Sequence, residues 1–224
     1  MGIMNPNSAL SFSRSSKPQR VRLLAAIQPS NSFIFGAVLF WILAVGVGIK
    51  ILLAYSNTPG KLSTPPSDWP ASTAIQPQRN RACLLVFAHP QCPCSRATIN
   101  ELARIMAGSQ GKVQAYVVFL APKSAKRDWI RGNLWKAASA IPDVRVIADE
   151  DANEMRRFGA STSGQSLLYN ARGHLLFNGG LTVARGHEGP NDGADAVFAF
   201  LQTGAAQRKT APVFGCSLLD ESRL

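Results

Sequence analysis

The most constraining feature of this sequence is a short stretch in which an apolar segment runs into two cysteines and then a helix. Residues 84–88 have the length and composition of a buried strand, and Cys92 and Cys94 follow with only Pro93 between them. Residues 95–106 then carry apolar side chains at the spacing of an amphipathic helix. A cysteine at the start of a helix lies beside unpaired backbone N–H groups and the positive end of the helix dipole, which favour the thiolate. The stretch therefore predicts a reactive thiol where a strand meets a helix.

The rest of the chain alternates between strand and helix patterns. The predicted strands are 82–88, 113–120 and 144–148, followed by a hairpin of 166–169 and 175–177, and the predicted helices are 95–106, 123–140, 153–158 and 193–201. Strands separated by helices pair in parallel through helical crossovers, so this order predicts an α/β layer architecture.

On these residues the chain resembles the thioredoxin-like proteins, particularly the membrane-anchored extracytoplasmic type related to TlpA and to the peroxiredoxins. The match lies in residues 92–97 (CPCSRA) and in Glu101-Leu102 one turn later. The resemblance implies an α/β, thioredoxin-like fold, with a central mixed sheet flanked by helices, over about residues 82–202.

The chain departs from the pattern of these relatives at two positions. The second cysteine of the motif falls on Ser95, and the additional Cys94 stands before it. Most relatives carry a cis-proline before the hairpin, and Gly164 occupies that position here. Glycine adopts unusual backbone conformations without steric cost, so the loop is expected to form, although the docking surface that the proline supplies is no longer predicted.

An apolar run precedes the domain and predicts a membrane anchor. Residues 33–49 are all apolar, and the run continues past Lys50 to Tyr55, so residues 33–55 reach the length of about 20 residues that crosses a bilayer. The basic residues before it, Arg14, Lys17, Arg20 and Arg22, place residues 1–32 in the cytoplasm by the positive-inside rule. A cleaved signal peptide is the alternative, but no Ala-x-Ala site follows the apolar core. We therefore expect a single-pass protein of the bacterial inner membrane whose C-terminal domain is periplasmic, or extracytoplasmic more generally.

The remaining boundaries follow from composition. Residues 56–81 carry five prolines among Ser, Thr and Gly, a composition that predicts a semi-extended linker holding the domain away from the membrane. The thioredoxin-like domain is predicted over residues 82–205, and residues 206–224 form a C-terminal tail.

The net charge of +11 invites comparison with nucleic-acid-binding proteins. The basic residues are scattered along the chain, however, and they do not alternate with aromatic residues in the way that grips bases. We therefore expect no nucleic acid among the partners. The sequence also lacks a phosphate-binding loop, a dinucleotide fingerprint and a Ser-His-Asp signature.

Cys92 is the predicted nucleophile, and two other cysteines are candidates for its partner. A disulfide between Cys92 and Cys94 would close a ring over one intervening residue. This geometry strains the disulfide and makes it more oxidising. Cys216 lies in the apolar segment 212–216 of the tail, which is expected either to dock on the domain or to leave an idle surface thiol. Cys83, inside the first strand, is expected to be a buried and inert thiol.

Three polar residues are further candidates. His89 is placed either to stabilise the Cys92 thiolate or to bind a metal, or simply to end the strand. The glycine-rich loop 179–189 carries Arg185 and His187, and in a thioredoxin-like fold it would return to the edge that holds Cys92. There these two side chains would offer positive charge to a thiolate. The alternative is a flexible solvent-exposed loop.

Overall the chain is similar to the membrane-bound thioredoxin-like proteins of the RedB type, in residues 89–94, 185–187 and 214–216. The leading hypothesis is a membrane-anchored extracytoplasmic thiol–disulfide oxidoreductase without a cofactor, with Cys92 as nucleophile and Cys94 or Cys216 as resolving thiol. Its partners would be protein thiols and disulfides, or a peroxide reduced through a sulfenic acid, together with the lipid bilayer at residues 33–55.

Two alternatives belong to other classes of protein. Thiolate and imidazole ligands suit copper(I), and Cys92 and Cys94 with His89 would supply them in a copper-binding or copper-delivery protein. The copper-delivery proteins of cytochrome oxidase assembly share the fold and an anchor, but their cysteines are more widely spaced. The other alternative is a redox-inert adaptor, which the loss of the proline would allow.

Overall fold

The computed structural model describes residues 30–78 and 80–219. The basic residues of the predicted cytoplasmic segment 1–32 lie outside this range, as do the last five residues of the predicted tail. The chain divides into two units, Met1–Gly46 and Val47–Leu224.

The first described element is a long apolar helix, α1 (Asn31–Asn57), which contains the predicted span 33–55. It has 27 residues and a mean hydropathy of 2.4 in its most apolar window. At 1.5 Å per residue it is about 40 Å long, enough to cross the hydrocarbon core of a bilayer. None of its residues is buried against protein, so α1 has the length and surface of a membrane-spanning helix.

The domain is built on a five-stranded mixed sheet in the order β3-β2-β1-β4-β5. Its strands are β1 (Ala82–Ala88), β2 (Val113–Ala121), β3 (Val144–Glu150), β4 (Ser166–Tyr169) and β5 (Leu175–Gly179). The first three strands are parallel, and β4 and β5 are antiparallel to their neighbours. The central β1 is apolar throughout because both faces of the sheet are covered.

Helices cover the sheet on both faces. They are α2 (Pro93–Gly108), α3 (Arg127–Ile130), α4 (Asn133–Ser139), α5 (Asn153–Arg157) and α6 (Asp192–Thr203). One core cluster joins residues of α2, α4 and α6 to one face of the sheet, and a second joins Met155 of α5 and Leu218 of the tail to the other face. This arrangement is a thioredoxin-like fold, and the predicted fold class is confirmed.

The prediction of a single helix over residues 123–140 is wrong, because the structure has two helices there, α3 and α4. Gly132 interrupts the backbone in an extended conformation and becomes the N-cap of α4. Glycine is among the residues least favourable inside a helix, and here it separates two short helices that pack independently. On these two helices Leu134 is buried, whereas Trp129, Ile130 and Trp135 are partly buried.

The segment predicted to be a spacer packs along the domain instead. The Gly60 N–H donates to the Val213 carbonyl at 2.7 Å, and the Trp69 N–H donates to the Gly173 carbonyl at 2.8 Å. The Trp69 ring makes edge contacts with Phe158 and Tyr169, each with ring centres 5.1 Å apart. The prolines prevent a helix or strand here, but the remaining N–H and C=O groups still find partners in the domain. The predicted linker, residues 56–81, is therefore packed against the domain and is not a semi-extended tether. This segment is called the strap below.

Candidate redox site

Cys92 occupies the junction that the sequence predicts, between the carboxyl end of β1 and the start of α2. It is the N-cap of α2 in an extended conformation, and Pro93 follows in the first turn. The Cys92 N–H donates to the His89 carbonyl at 3.2 Å, and the Ser95 N–H donates to the Cys92 carbonyl at 3.0 Å. These bonds hold the Cys92 backbone at the start of the helix, where unpaired backbone N–H groups favour a negative charge.

The C-terminal tail brings Cys216 onto Cys92. The two sulfur atoms lie 2.9 Å apart, although 124 positions separate them in the chain. This separation exceeds the length of a disulfide bond, about 2.0 Å, by less than 1 Å. The structure thus places Cys216 within bonding reach of Cys92.

Backbone contacts hold the tail in this position. The Ser163 N–H donates to the Cys216 carbonyl at 2.8 Å, and the Leu218 N–H donates to the Ser161 carbonyl at 2.9 Å. Val213 and Leu218 are buried on either side of Cys216. The tail through residue 219 is therefore part of the domain.

The pKa of Cys92 is lowered from the usual thiol range to about 4. Hydrogen bonding from the Cys94 side chain is the largest cause, and bonds from Cys216 add to it, while burial acts in the opposite direction. The same bond, together with burial, raises the pKa of Cys94 far above the ordinary thiol value. These shifts favour the thiolate at Cys92 and the protonated thiol at Cys94.

Cys83 is remote from this chemistry. It lies in β1 among the residues of the second core cluster, 1% exposed, and burial raises its pKa to about 12. A buried thiol with a raised pKa is neither nucleophilic nor accessible at neutral pH, in agreement with the expectation of an inert thiol.

The loop after β5 brings one of its two candidate residues to the thiols. An Arg185 guanidinium nitrogen donates to the Gly215 carbonyl at 2.5 Å, next to Cys216, and the positive charge of Arg185 favours the thiolate form of Cys94. The Arg185 guanidinium also stacks over the Tyr55 ring, 4.9 Å from its centre. His187 is exposed, and its Nδ1 pairs with the Arg185 carbonyl at 2.7 Å. No contact between His187 and a thiol is found in the described part of the chain.

The surroundings of His89 favour its neutral form. Its Nδ1 accepts the Gln91 N–H at 3.2 Å, and its ring meets Trp129 edge-on with centres 5.5 Å apart. Burial lowers the pKa of His89 more than the nearby Cys92 charge raises it. A neutral imidazole stabilises a thiolate less than an imidazolium, so the geometry favours a packing role at the end of β1 over charge stabilisation.

Ser95 and Ser163 form a buried polar link that the sequence did not reveal. Their hydroxyl oxygens lie 2.8 Å apart, and the Ser95 hydroxyl also donates to the His89 carbonyl at 2.9 Å. The Ser163 hydroxyl accepts the His89 N–H at 3.0 Å. Ser95, at the position of the second cysteine of the motif, thus connects β1 and α2 to the loop that holds Cys216.

Gly164, at the position of the cis-proline, has a φ of +91°, a conformation that glycine adopts without strain. Its N–H donates to the Phe87 carbonyl at 2.7 Å, which closes the loop onto the end of β1. The expectation that glycine preserves this loop is met.

Within residues 30–78 and 80–219, no group of three or more His, Cys, Asp and Glu residues is arranged to hold a metal ion. Cys92 and Cys94 are close enough to share a hydrogen bond, but the His89 ring is engaged by Gln91 and Trp129. The assignment of Cys92, Cys94 and His89 as copper ligands stays a prediction.

Comparison with known proteins finds likeness of fold alone. An uncharacterized conserved protein from Geobacillus kaustophilus has a TM-score of 0.54 and 17% identity, with coverage of 74% of this chain and 93% of that one. A hypothetical protein from Sinorhizobium meliloti has a TM-score of 0.54 and 19% identity, with coverage of 73% and 97%. A secreted Mycobacterium tuberculosis disulfide oxidoreductase has a TM-score of 0.39 and 14% identity, with coverage of 55% and 81%. No family model and no curated protein sequence matches.

The chain thus has a thioredoxin-like fold, preceded by a helix that is long and apolar enough to cross a membrane. Its particular similarity to the RedB type stays a prediction.

Proposed function

We propose that this protein is a membrane-anchored thiol–disulfide oxidoreductase in which Cys92 is the nucleophile and Cys216 the resolving thiol. The observation that carries the proposal is the 2.9 Å separation of the two sulfur atoms. The lowered pKa of Cys92 supports its role, since the thiolate is the attacking species in exchange.

The reaction is an exchange of one disulfide for another. The Cys92 thiolate attacks one sulfur of a substrate disulfide, and the other half of the substrate leaves as a thiolate. That thiolate takes the proton of Cys216, whose sulfur then attacks Cys92 and releases the remaining half of the substrate. A Cys92–Cys216 disulfide remains, and two electrons have passed to the substrate. The reverse sequence oxidises substrate thiols, so the partners are molecules that carry thiols or disulfides.

Cys94 supports this reaction as a hydrogen-bond donor to Cys92. Its own pKa is raised, so it remains a thiol while Cys92 is ionised. A donor that stabilises the Cys92 thiolate also makes Cys92 a better leaving group when the disulfide is reduced. Arg185 acts beside it as a positive charge, while His187, among the described residues, contacts the Arg185 carbonyl and no thiol.

For its location, we infer a single-pass protein of the bacterial inner membrane, with residues 1–32 in the cytoplasm and the domain in the periplasm. The apolar helix α1 and the basic residues before it support this topology. A fusion of alkaline phosphatase to the C-terminus, which is active only outside the cytoplasm, is expected to be active. An inactive fusion would contradict the topology and leave the chemistry untouched.

The test of the chemistry is disulfide mapping by mass spectrometry on the full chain in detergent, prepared without chelator. Mild oxidation is expected to remove about 2 Da and to link the peptides of Cys92 and Cys216. Cys94→Ser should retain this link, Cys216→Ser should lose it, and Cys83→Ser should behave as the unmodified protein. A Cys92–Cys94 link, or a stoichiometric copper ion on reduced thiols, would overturn the proposal. Treatment with hydrogen peroxide, followed by detection of a sulfenic acid at Cys92, tests the peroxide as a substrate.

A further inference from the structure

A cavity of about 430 Å³ lies beside Cys216, on the tail and the loops that hold it. Both chain neighbours of Cys216, Gly215 and Ser217, line it, and Lys61 and Arg185 contribute its two charged side chains. The cavity is thus continuous with the segment that carries the proposed resolving thiol.

Among the described residues, both charged groups that line this cavity, Lys61 and Arg185, are basic, and none of the lining residues is Asp or Glu. The hydroxyl groups of Ser161 and Thr162 each donate to the Lys61 carbonyl at 2.8 Å, which fixes the Lys61 backbone at the wall of the cavity. The Lys61 side chain is exposed, so its ammonium group is available to a molecule that enters.

Arg185 retains unused capacity to donate hydrogen bonds. One guanidinium nitrogen donates to the Gly215 carbonyl, but the buried Nε has no partner among the described residues. Guanidinium groups bind carboxylates through parallel N–H donors. Arg185 therefore brings a positive charge to the wall of the cavity.

The two thiols differ in accessibility. Cys92 is only 2% exposed, whereas Cys216 is partly exposed. Cys216 is therefore the more accessible thiol of the pair, and both of its chain neighbours line the cavity.

From these observations we infer that the cavity between Lys61 and Arg185 binds the carboxylate of a small, amino-acid- or peptide-sized disulfide substrate while its sulfur reaches the Cys92–Cys216 pair. The volume falls within the range of about 300–1,000 Å³ that small-molecule sites occupy. The inference rests on the proposed function, and the exchange is the one given above, with the same balance of electrons and protons.

The test compares three disulfides on the reduced full chain in detergent. Oxidised glutathione carries carboxylates, bis(2-hydroxyethyl) disulfide is neutral and cystamine is cationic. The rate of Cys92–Cys216 disulfide formation is expected to be highest with oxidised glutathione and lowest with cystamine. Lys61→Gln should lower the ratio of the glutathione rate to the neutral rate by about 3-fold, and Lys61→Glu by about 10-fold, since one exposed ion pair accounts for a factor of up to about 5.

The matched control is Lys136→Glu, which changes the net charge by the same amount on the exposed face of α4, outside the cavity. It should leave the ratio unchanged. Equal effects of Lys61→Glu and Lys136→Glu would overturn the inference, because net charge alone would then explain the preference. Exchange with none of the three disulfides would overturn the proposed function and the inference with it. If all three disulfides react, and the ratio of the glutathione rate to the neutral rate is the same in every variant, the inference is overturned but the proposed function stands.

Discussion

Gly215 lies so close to the carbonyl oxygen of Ser163 that a Cβ atom on Gly215 would overlap it. The next residue along, Cys216, accepts the Ser163 N–H at its carbonyl at 2.8 Å. The position of the Cys216 sulfur over Cys92 thus depends on backbone contacts between the tail and the loop before β4.

Gly215→Ala is expected to displace Cys216 from Cys92, because neither backbone can move without breaking the bonds that hold the loop. Overpacking of this kind costs about 1–3 kcal/mol in the free energy of unfolding. The rate of Cys92–Cys216 disulfide formation should fall at least about 10-fold, since reaction rates follow small displacements of the reacting atoms. Both quantities can be measured on the purified chain, by denaturant titration and by mass spectrometry. Gly132→Ala is the control, because its nearest neighbour to an added Cβ is 3.9 Å away; a similar loss of rate there would contradict the argument.

Replacement of Cys94 should show whether it acts on Cys92 as a hydrogen-bond donor. Cys94→Ala removes the principal donor to Cys92 and is expected to raise the pKa of Cys92 toward that of an ordinary thiol, about 8.5. Cys94→Ser keeps a donor and should raise it less. Thiolate absorbance near 240 nm as a function of pH reports both, with Cys83→Ser as a control that leaves the curve unchanged. Identical curves for the alanine and serine variants would show that Cys94 does not act as a donor.

The stability of the reduced protein should depend on pH through Cys92. Its pKa in the folded protein, about 4, lies below the unfolded value of about 8.5. Its contribution to the free energy of unfolding is therefore fully present above the unfolded value and is lost as the pH falls toward 4. Cys94, whose pKa is raised, adds a pH dependence of its own only near and above its unfolded value of about 8.5. Denaturant titrations between pH 4 and pH 9, referred to the Cys92→Ser variant, should show this loss; a difference that is constant over the window would contradict the lowered pKa.

The strap before β1 is expected to contribute to the stability of the domain. Trp69→Ala removes the edge contacts with Phe158 and Tyr169 and should destabilise the domain by about 2–4 kcal/mol, somewhat less than a fully buried Trp because Trp69 is partly exposed. Leu62→Ala, in the same segment but on an exposed residue, should change stability by less than about 0.5 kcal/mol. Thermal unfolding distinguishes the two, and equal effects would restore the view of this segment as a loose tether.

Much of the fold could be predicted because it follows from local patterns of apolar and polar residues. The order of strands and helices, the apolar strand β1 and the helix α2 follow from periodicity, and the thioredoxin-like fold follows from their order. The division of the helix at Gly132 and the packing of the strap were missed. Each depends on what the segment meets in the folded domain, and composition alone does not reveal those contacts.

The sequence by itself determined that a thiol stands where a strand meets a helix, and that a helix long enough to cross a membrane precedes the domain. Both follow from neighbouring residues, because helix ends and apolar runs are local properties of a chain. Only the tertiary structure brought Cys216 to Cys92. Cys94 is two positions away and donates a hydrogen bond, whereas Cys216 is 124 positions away and meets Cys92 at 2.9 Å. The physical reason is that backbone contacts of Ser163 with Gly215 and Cys216 join parts of the chain that no local pattern connects.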